Sequence, residues 1–387
     1  AQIQLKLVVL DKRQLALKVS ANSFFGFLGV HKNGQMPLIE GAISICAKGR
    51  ELITAVRQHI ETKYQGIQIY SDTDSTMVKL PHIQDGLQCN YWGKKLAEEI
   101  NGIKPGGKDC DGVVHPEGRS GLFPPPLAME FEKSMRLLCI TKKKYAAYLI
   151  DNNGQFKTDL VLDENGRVAG STKHLMKKGI ILARRDGCPL LLRTYEKILL
   201  LIMERKTIFE ALEVLLEAVE QLLSGQVPYQ DLVVVKGLSA SYKNDSAPMK
   251  VFADRLKSCG KIVAGGDRLD YLVFANGKKS LGAKAYLVQE YLEMRGTPQE
   301  LPLDYDHYLT TILGRHINKL LSAGFAAPIA ALPNFTYQPT GRHKPIPLAR
   351  IGDIIYQLNK QKINPRALLE GLREGALTPA ILQKWRR

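Results

Sequence analysis

Asp72 and Asp74 lie one residue apart between two short runs of alternating apolar and polar residues, in the stretch QIYSDTDSTMVKL (68–80). This alternation, together with β-branched residues, predicts a β-hairpin over Ile67–Leu80 with the aspartates at its tip. Side chains at i and i+2 of a strand share a face, so both carboxylates would point the same way unless a tight turn directs one elsewhere. Two carboxylates this close stay ionised only when a cation or strong hydrogen-bond donors compensate their charge.

A divalent cation is one explanation for this pair of carboxylates. Hard oxygen ligands suit Mg²⁺, which proteins hold through one or two carboxylates together with substrate phosphates. Two such ions can stabilise the attacking and leaving oxygens of an in-line phosphoryl transfer. The other explanation is a solvated turn, since Asp, Ser and Thr are ordinary turn residues. The apolar flanks are unusual for a surface turn, and the residues of the hairpin leave both explanations open.

The charge balance predicts a polyanionic partner. Lys and Arg number 54 against 38 Asp and Glu, which gives a net charge of +16. A surplus of this size is typical of proteins that bind nucleic acid or an anionic membrane surface. Insertion into a membrane is excluded, because apolar runs such as KILLLIM (197–203) are far shorter than the ~20 residues that a spanning helix needs.

The six cysteines are scattered and show no CxxC spacing. This pattern argues against a zinc site and against a disulfide framework, and it predicts an intracellular protein in a reducing compartment. The sequence does not distinguish a nuclear from a cytoplasmic location.

Apolar residues at three- and four-residue steps predict a helix from Gln4 to about Phe25 and a second helix from Pro37 to Lys63. The proline suits the first turn of the second helix. Residues 190–223 are also helical in pattern. Their segment ILLLIM is apolar on all sides, which predicts that this helix is buried.

Strands are predicted within 127–150, followed by turns at DNNGQ (151–155) and DENGR (163–167). Glycine and proline are frequent in 104–126, which predicts a surface loop or insertion. Helices and strands follow a mixed order and not an alternating βαβ order, so the predicted fold class is α+β. The length of 387 residues predicts two or three domains.

Six segments resemble motifs of the family B DNA polymerases, in the order in which that family has them. YSDTDS (70–75) resembles YGDTDS, and KVSANSFFG (18–26) is similar to the finger motif K-x-x-x-N-S-x-Y-G. The other four resemble KKRY, KG…RRD, the thumb's GDR and P-x-D-Y-x-Y-Y-L; they are KKKY (142–145), KKGIILARRD (177–186), GGDRLDYLV (265–273) and LPLDYDHYLTTIL (301–313). The ordered set covers roughly residues 10–320, and on it the chain is identified as a member of that family. The style of the motifs leans toward polymerases of large DNA viruses.

The resemblance implies roles at the acidic hairpin and on the first helix. Asp74 would be the stronger Mg²⁺ ligand, with Asp72 beside it, and both would be catalytic. Lys18 and Asn22 would face the triphosphate of an incoming dNTP, where a lysine acts as a point charge on phosphate. Phe25 stands where the motif has a tyrosine that packs against the nascent base pair.

The resemblance also implies contacts to primer–template DNA. Lys142, Lys143, Lys144 and Tyr145 would hold the primer terminus, and three arginines would follow the duplex backbone: Arg184, Arg185 and Arg268. Taken singly, such residues are more often surface charges, and a lysine-rich segment could also be an exposed edge strand. Phe25 alone would be read as a core residue.

Two glutamates of the segment MEFEK, Glu130 and Glu132, stand where the family often has an acidic residue near the metals. A processivity factor is a further candidate partner, although the tail shows no convincing sliding-clamp peptide.

The implied architecture is a polymerase palm with an antiparallel sheet and catalytic hairpin, partial helical fingers and a mostly helical thumb. The implied domains are a distal fingers helix (1–29), a palm (30–186), a thumb (187–335) and a C-terminal extension (336–387).

Four departures from the family pattern stand out. Ser71 replaces a glycine, which would be costly if that position needs a positive φ. Phe25 lacks the tyrosine hydroxyl, and Lys144 replaces an arginine, which keeps the charge but loses the planar fork. The fourth is larger, because no D-x-x-S-L-Y-P motif with the second catalytic aspartate occurs in the sequence.

The sequence therefore predicts the C-terminal portion of a longer DNA-directed DNA polymerase, whose second catalytic aspartate and exonuclease domain are absent here; because half of the metal site is missing, this segment is predicted to be inactive by itself. The alternative is a non-catalytic duplex-binding subunit of a split or inactivated polymerase. Another palm-type nucleotidyltransferase, such as a reverse transcriptase, is disfavoured by the finger and thumb motifs.

Overall fold

The computed structural model describes residues 2–30, 34, 37–164 and 166–325. The chain divides into two units. The first comprises residues up to 134 together with 150–155, and the second comprises 135–149 and the residues from 156 onward. The predicted C-terminal extension and the last residues of the predicted thumb, 326–335, lie outside the described residues.

The described residues of the first unit form three helices and two antiparallel hairpins. Its elements are α1 (Gln2–Leu28), α2 (Ile39–Tyr64), β1 (Ile67–Asp72), β2 (Ser75–Lys79), α3 (Gly86–Asn101), β3 (Gly107–Lys108) and β4 (Val114–His115). The two predicted helices and the predicted hairpin are confirmed. The predicted start of the second helix at Pro37 is wrong. The helix begins at Ile39, so the proline precedes its first turn. The predicted loop 104–126 is mostly irregular but contains the short β3–β4 pair.

Helix α1 buries almost nothing within the described first unit. Leu28 near its end is 9% exposed, whereas apolar side chains such as Leu17 and Phe24 are 73% and 61% exposed. Because its apolar residues occur on several sides, the helix has no single face to pack. Its position in the unit comes from its last turn, where the Leu28 carbonyl accepts from the Leu38 N–H.

A small core connects α2, α3 and the hairpin. It is made by the buried side chains of Val56, Ile60, Leu80, Leu96, Ile100 and Phe123. The turn from α2 into β1 uses Gln65 in the left-handed region and then Gly66. A Cβ on Gly66 would lie 2.5 Å from Cγ2 of Ile60, so a glycine is needed for the strand to leave the helix this closely.

A half-buried carboxylate also connects α2 with α3. Glu99, whose side chain is 12% exposed, accepts hydrogen bonds from Tyr64 Oη (2.6 Å), Lys63 Nζ (3.0 Å) and His59 Nε2 (3.1 Å). Burial by itself would raise the pKa of Glu99, but the hydrogen bonds from Tyr64, His59 and Lys63 outweigh it and lower the pKa. The ionised carboxylate therefore stabilises the helix pair from which the hairpin extends.

The second unit begins with strands and continues with helices around a larger core. Its strands are β5 (Met135–Thr141), β6 (Lys144–Leu149), β7 (Thr158–Leu162), β8 (Val168–Lys173), β9 (Leu175–Lys178), β10 (Val234–Gly237), β11 (Arg268–Val273) and β12 (Ala285–Leu287). Its helices are α4 (Pro189–Met203), α5 (Ile208–Leu223), α6 (Pro248–Ser258), α7 (Leu281–Lys284), α8 (Val288–Met294), α9 (Tyr305–His307) and α10 (Arg315–Gly324). Short 3₁₀ turns lie at Ile181–Ala183 and Tyr229–Leu232, and a π-helical segment spans Tyr308–Gly314.

All strand pairs are antiparallel, and the sheet orders are β5-β6-β9, β7-β8 and β10-β11-β12. Together with the helices, this confirms the α+β fold class. The strands predicted within 127–150 are β5 and β6, but the first begins only at Met135. The predicted turns at 151–155 and 163–167 each lie between two strands.

The helical stretch predicted over 190–223 is two helices and not one. Arg205 has a φ of +58°, which ends the first helix, and Thr207 then caps the second by accepting from the Glu210 N–H. Helix α4 is largely buried, as predicted, but Leu200 within ILLLIM is 40% exposed. In a run that is apolar on all sides, the sequence does not show which residue faces solvent.

The six cysteines are free thiols, in agreement with the sequence. Within the described ranges, no helix combines the length and the apolar character that a membrane crossing needs.

The Glu99 network gives a prediction about stability. We expect Glu99→Gln to lower the free energy of unfolding at neutral pH by roughly 1–3 kcal/mol, because one charge-assisted acceptor serves three donors. The stabilisation is present above the ordinary glutamate pKa of 4.5 and is lost as the pH falls through the lowered folded-state value. Urea denaturation at several pH values should show the variant and the wild type converging in acid.

Glu61→Gln is the matched control, because Glu61 is on α2 and exposed, where it pairs only with Arg57 at 3.6 Å. An equal effect of the two substitutions at neutral pH would contradict the role given to Glu99.

Candidate active-site and nucleic-acid-binding residues

The acidic hairpin has a two-residue loop. Asp72 pairs with Ser75 at the end of the ladder, which leaves Thr73 and Asp74 as the loop. Asp72 is half-buried at the end of β1, whereas Asp74 is exposed. The tight turn thus separates the environments of the two carboxylates, which is the second of the two geometries that the sequence left open.

Three hydroxyl groups hold this turn. Ser71 Oγ donates to the carbonyl of Ser75 at 3.0 Å, and Ser75 Oγ donates to the carbonyl of Asp72 at 3.1 Å. Thr73 Oγ1 lies 3.4 Å from Oδ1 of Asp72. Side chains that bond to nearby backbone groups are a common way to fix a turn. Hydrogen bonds between neighbouring residues therefore fix the conformation of the loop that carries the carboxylates.

The serine at position 71 causes no backbone strain. Ser71 lies within β1, and the left-handed residue of the hairpin is Thr73, with a φ of +58°. A serine adopts an extended conformation without cost. The substitution of the motif's glycine is therefore accommodated by the strand.

Among the described residues, no group of three or more His, Cys, Asp and Glu side chains is arranged to hold a metal ion. Asp72 and Asp74 supply oxygen donors of the type that Mg²⁺ prefers. They fit such an ion as part of a ligand set that other groups would complete.

The three predicted nucleotide-binding residues lie on α1. Lys18, Asn22 and Phe25 are separated by four and three residues, so they share one face of the helix. All three are exposed, and Phe25 has 38% of its surface accessible. Phe25 is therefore not a core residue of the described first unit.

Glu130 and Glu132 are exposed in the segment 127–134, which has no regular structure. Glu132 forms an ion pair with Lys133 at 2.6 Å. Their approach to a metal stays a prediction.

The KKKY segment of the second unit forms the tip of another hairpin. Thr141 pairs with Lys144, so Lys142 and Lys143 make up its two-residue loop, and Lys143 has a φ of +62°. Lys144 and Tyr145 begin β6, which is hydrogen-bonded to β5 on one side and to β9 on the other. The alternative of an exposed edge strand is therefore wrong.

The glycine of the KKG segment lies against this hairpin. Gly179 has a φ of +64°, and a Cβ built on it would lie 2.1 Å from the carbonyl oxygen of Lys143. Only a residue without a side chain can approach a backbone carbonyl so closely in this conformation. The KKKY and KKG segments, distant in sequence, are thus in direct contact.

The predicted backbone-binding arginines also come together. Arg184 forms a bidentate ion pair with Asp186, with Nε donating to Oδ1 at 2.8 Å. Arg268 is the first residue of β11, and its Nη2 donates to the carbonyl oxygen of Arg185 at 2.6 Å. This hydrogen bond connects the RRD segment with the GDR segment, and the three arginine side chains are exposed.

Two basic residues outside the six motifs were not singled out from the sequence. His316 and Lys319 lie on α10, after the last motif ends. Their separation of three residues puts them on one face of the helix. That spacing was the only sequence signal, and it is too common to mark a site.

The architecture is that of an α+β chain in which the predicted carboxylates and lysines lie on the loops of two hairpins. A family model described as DNA polymerase family B matches residues 1–323. The chain therefore belongs to DNA polymerase family B, as the motifs predicted.

Cellular and viral proteins are among the relatives. The chain is 30% identical over 317 residues to the DNA polymerase delta catalytic subunit of Plasmodium falciparum, with 79% of this chain and 25% of that protein covered. It is 30% identical over 335 residues to the subunit of the same name from Arabidopsis thaliana, with 83% and 27% covered. A match to DNA polymerase 120R of Invertebrate iridescent virus 3 is 30% identical over 244 residues, with 60% and 18% covered. The chain thus spans about a quarter or less of the length of these curated relatives, and its viral source stays a prediction.

The contact between Gly179 and Lys143 gives a second prediction. We expect Gly179→Ala to destabilise the chain by roughly 2 kcal/mol, because the methyl group would collide with a carbonyl at a positive φ. Thermal unfolding would measure the loss, and amide hydrogen exchange should show faster exchange in the β5–β6 loop.

Gly170→Ala is the control, because Gly170 lies in β8 with no atom within 4 Å of a Cβ. If both variants unfolded at the same temperature as the wild type, the close approach at Gly179 would be refuted.

Proposed function

We propose that this chain supplies the carboxylate hairpin, the nucleotide-facing helix and the duplex-binding surface of a DNA-directed DNA polymerase used in DNA replication. The observation that carries the proposal is the family match over residues 1–323 together with the Asp72–Asp74 loop at the tip of an ordered hairpin. The proposed substrates are primer–template DNA and dNTPs. A processivity factor is a further proposed partner.

In this proposal Asp74 and Asp72 would hold Mg²⁺. When bound, the ion would offset the charge that develops on phosphate oxygens during transfer. The side chain of Asp74 is exposed, whereas that of Asp72 is half-buried at the end of β1, with Thr73 Oγ1 at 3.4 Å from its Oδ1. A fixed loop lowers the cost of bringing both oxygens to one ion.

Lys18 and Asn22 would contact the triphosphate, and Phe25 would pack its ring against the nascent base pair. Their exposure and their shared helical face support this role, since a ligand could reach all three at once. Lys18 would act as a positive point charge on phosphate.

The basic hairpin and the arginines would bind the duplex. Lys142, Lys143, Lys144 and Tyr145 would hold the primer terminus, while Arg184, Arg185 and Arg268 would contact the backbone. The lysines of the loop are exposed, and such contacts to phosphate are independent of sequence and weakened by salt. The assignments to fingers, palm and thumb remain part of the proposal.

The sequence contains no D-x-x-S-L-Y-P motif. We propose that a second catalytic aspartate comes from elsewhere in a longer enzyme, of which this chain is the C-terminal portion. The same observation favours one alternative, a duplex-binding subunit of a split or inactivated polymerase, and activity distinguishes the two.

Asp74→Asn tests the proposed metal site. In the polypeptide that supplies the remaining aspartate, we expect primer extension to fall by at least about a thousandfold, because an amide replaces a charged ligand. Binding of primer–template DNA should be unchanged in fluorescence anisotropy.

Asp245→Asn removes a carboxylate that is 94% exposed and distant in sequence, and it should leave extension unchanged. Full extension by Asp74→Asn would refute the site. Binding of duplex without extension by the wild-type enzyme would favour the non-catalytic alternative.

Lys18→Ala tests the proposed nucleotide contact. A lost charge-assisted contact to phosphate should raise the KM for dNTP about ten- to a hundredfold. Steady-state primer extension at varied dNTP concentration would measure it.

Lys12→Ala is the control, since Lys12 is an exposed residue on another side of the same helix. An equal rise in KM for both variants would mean that the general charge of α1 matters and not the position of Lys18.

A further inference from the structure

Helix α10 brings two basic side chains to the region of the KKKY and RRD segments. The helix packs against β5 and α4 of the second unit. A groove of about 310 Å³ lies along this contact, lined by Ile140, Thr141, Asn318, Lys319, Ser322 and Ala323. Thr141 directly precedes the basic loop, so the groove continues from Lys319 toward the KKKY hairpin.

Several charged groups act electrostatically on His316. It is half-buried one turn before Lys319. Burial lowers the pKa of His316, and the nearby positive charges of Lys144, Lys319 and Arg184 lower it further, while Asp186 acts in the opposite direction. A neutral imidazole therefore lies among three cations at neutral pH.

The described residues leave positive charge uncompensated here. Within them, neither Lys144 nor Lys319 has an ion-pair partner. Arg184 uses Nε and Nη2 in its contact with Asp186, so its Nη1 can donate to another acceptor. Three cations beside a single carboxylate, that of Asp186, leave a net positive charge that an additional bound anion would offset.

The segment directly before α10 has an unusual backbone geometry. The residues Tyr308–Gly314 form a π-helical segment that runs directly into the helix. Wide π-turns are rare and are often found at functional sites, where they change which side chains face a given direction.

We propose that His316 and Lys319 of α10, together with Lys144 and Arg184, form a phosphate-binding cluster that contacts the backbone of bound duplex DNA. The inference rests on the proposed function for the identity of the ligand, and it adds a helix that none of the six motifs includes. A phosphate bound here favours the protonated imidazole, so binding takes up a proton and strengthens as the pH falls.

Salt dependence of duplex binding tests Lys319. We expect Lys319→Ala to weaken binding about fivefold and to reduce the slope of log K against log salt by about 0.9, as expected for one phosphate contact. Lys206→Ala is the matched control, because Lys206 follows the far end of α4, about 20 Å along that helix from the RRD segment. A Lys319→Ala variant that behaves like the control overturns the cluster and leaves the proposed function standing.

The pH dependence tests His316. Affinity of the wild type for duplex should rise severalfold between about pH 8 and pH 5.5, and His316→Asn should remove most of that rise. His174→Asn is the control, since His174 pairs with Asp159 at 2.9 Å. An equal pH dependence in the wild type and His316→Asn refutes the role of the histidine.

A titration with inorganic phosphate distinguishes failure of the phosphate-binding cluster from failure of the proposed function. We expect added phosphate to raise the pKa of His316 in histidine NMR spectra, with the signal assigned by its loss in His316→Asn. If the protein binds no duplex but phosphate raises this pKa, the proposed function fails and the anion site stands. If phosphate leaves the His316 titration unchanged, the cluster is not a phosphate site.

Discussion

Hydrogen bonding on both edges of β6 sets the positions of the KKKY and KKG segments in the second unit. The register with β5 ends at the pair Thr141–Lys144, which forces the two preceding lysines into the loop. The register with β9 places Lys178 opposite Tyr145, so the chain leaves the sheet at Gly179 beside the same loop. Because the backbone makes these contacts, the placement does not depend on any one basic side chain.

The acidic hairpin of the first unit depends on packing instead. A two-stranded hairpin is at best marginally stable by itself in water. Leu80 beyond the second strand joins the core with Val56 and Ile60 of α2, and Val78 packs against that core. The Asp72–Asp74 loop is therefore supported by the α2–α3 pair, which the half-buried carboxylate of Glu99 holds together.

Local pattern was enough to predict the acidic hairpin, the first two helices and the α+β class, because period-two alternation around Asp72 and Asp74 and apolar steps of three and four residues are features of a few neighbouring residues. The two-residue loop at Lys142 and Lys143 was not predicted, because the pattern over 127–150 indicated strands without locating the turn between them. The resemblance to family motifs added roles that no spacing could supply. The end of α4 was missed because Arg205 adopts a left-handed conformation that its residue type does not favour.

The contacts between segments could not be read from the sequence. Arg268 and Arg185 are separated by 83 positions, and their hydrogen bond depends on the packing of β11 and on the turn before it. The same is true of His316, which is placed by a π-helical segment whose extra residue per turn changes the facing side chains. Burial and neighbouring charge are properties of the folded unit, so they appear only once the chain is packed.

The Asp72–Asp74 loop and the KKKY loop each keep a non-glycine residue in the left-handed region. Thr73 occupies the first loop position of its hairpin, where glycine is common, and Lys143 occupies the second position of the other loop. Such conformations cost on the order of 1 kcal/mol or more for a residue with a Cβ. A glycine would remove that cost, but it would also remove the hydroxyl beside Asp72 in one loop and a cation in the other. Gln65 and Arg205 adopt the same conformation just after α2 and α4 end, so a positive φ marks a sharp change of chain direction; in the two loops it places Thr73 beside Asp72 and Lys143 beside Lys142.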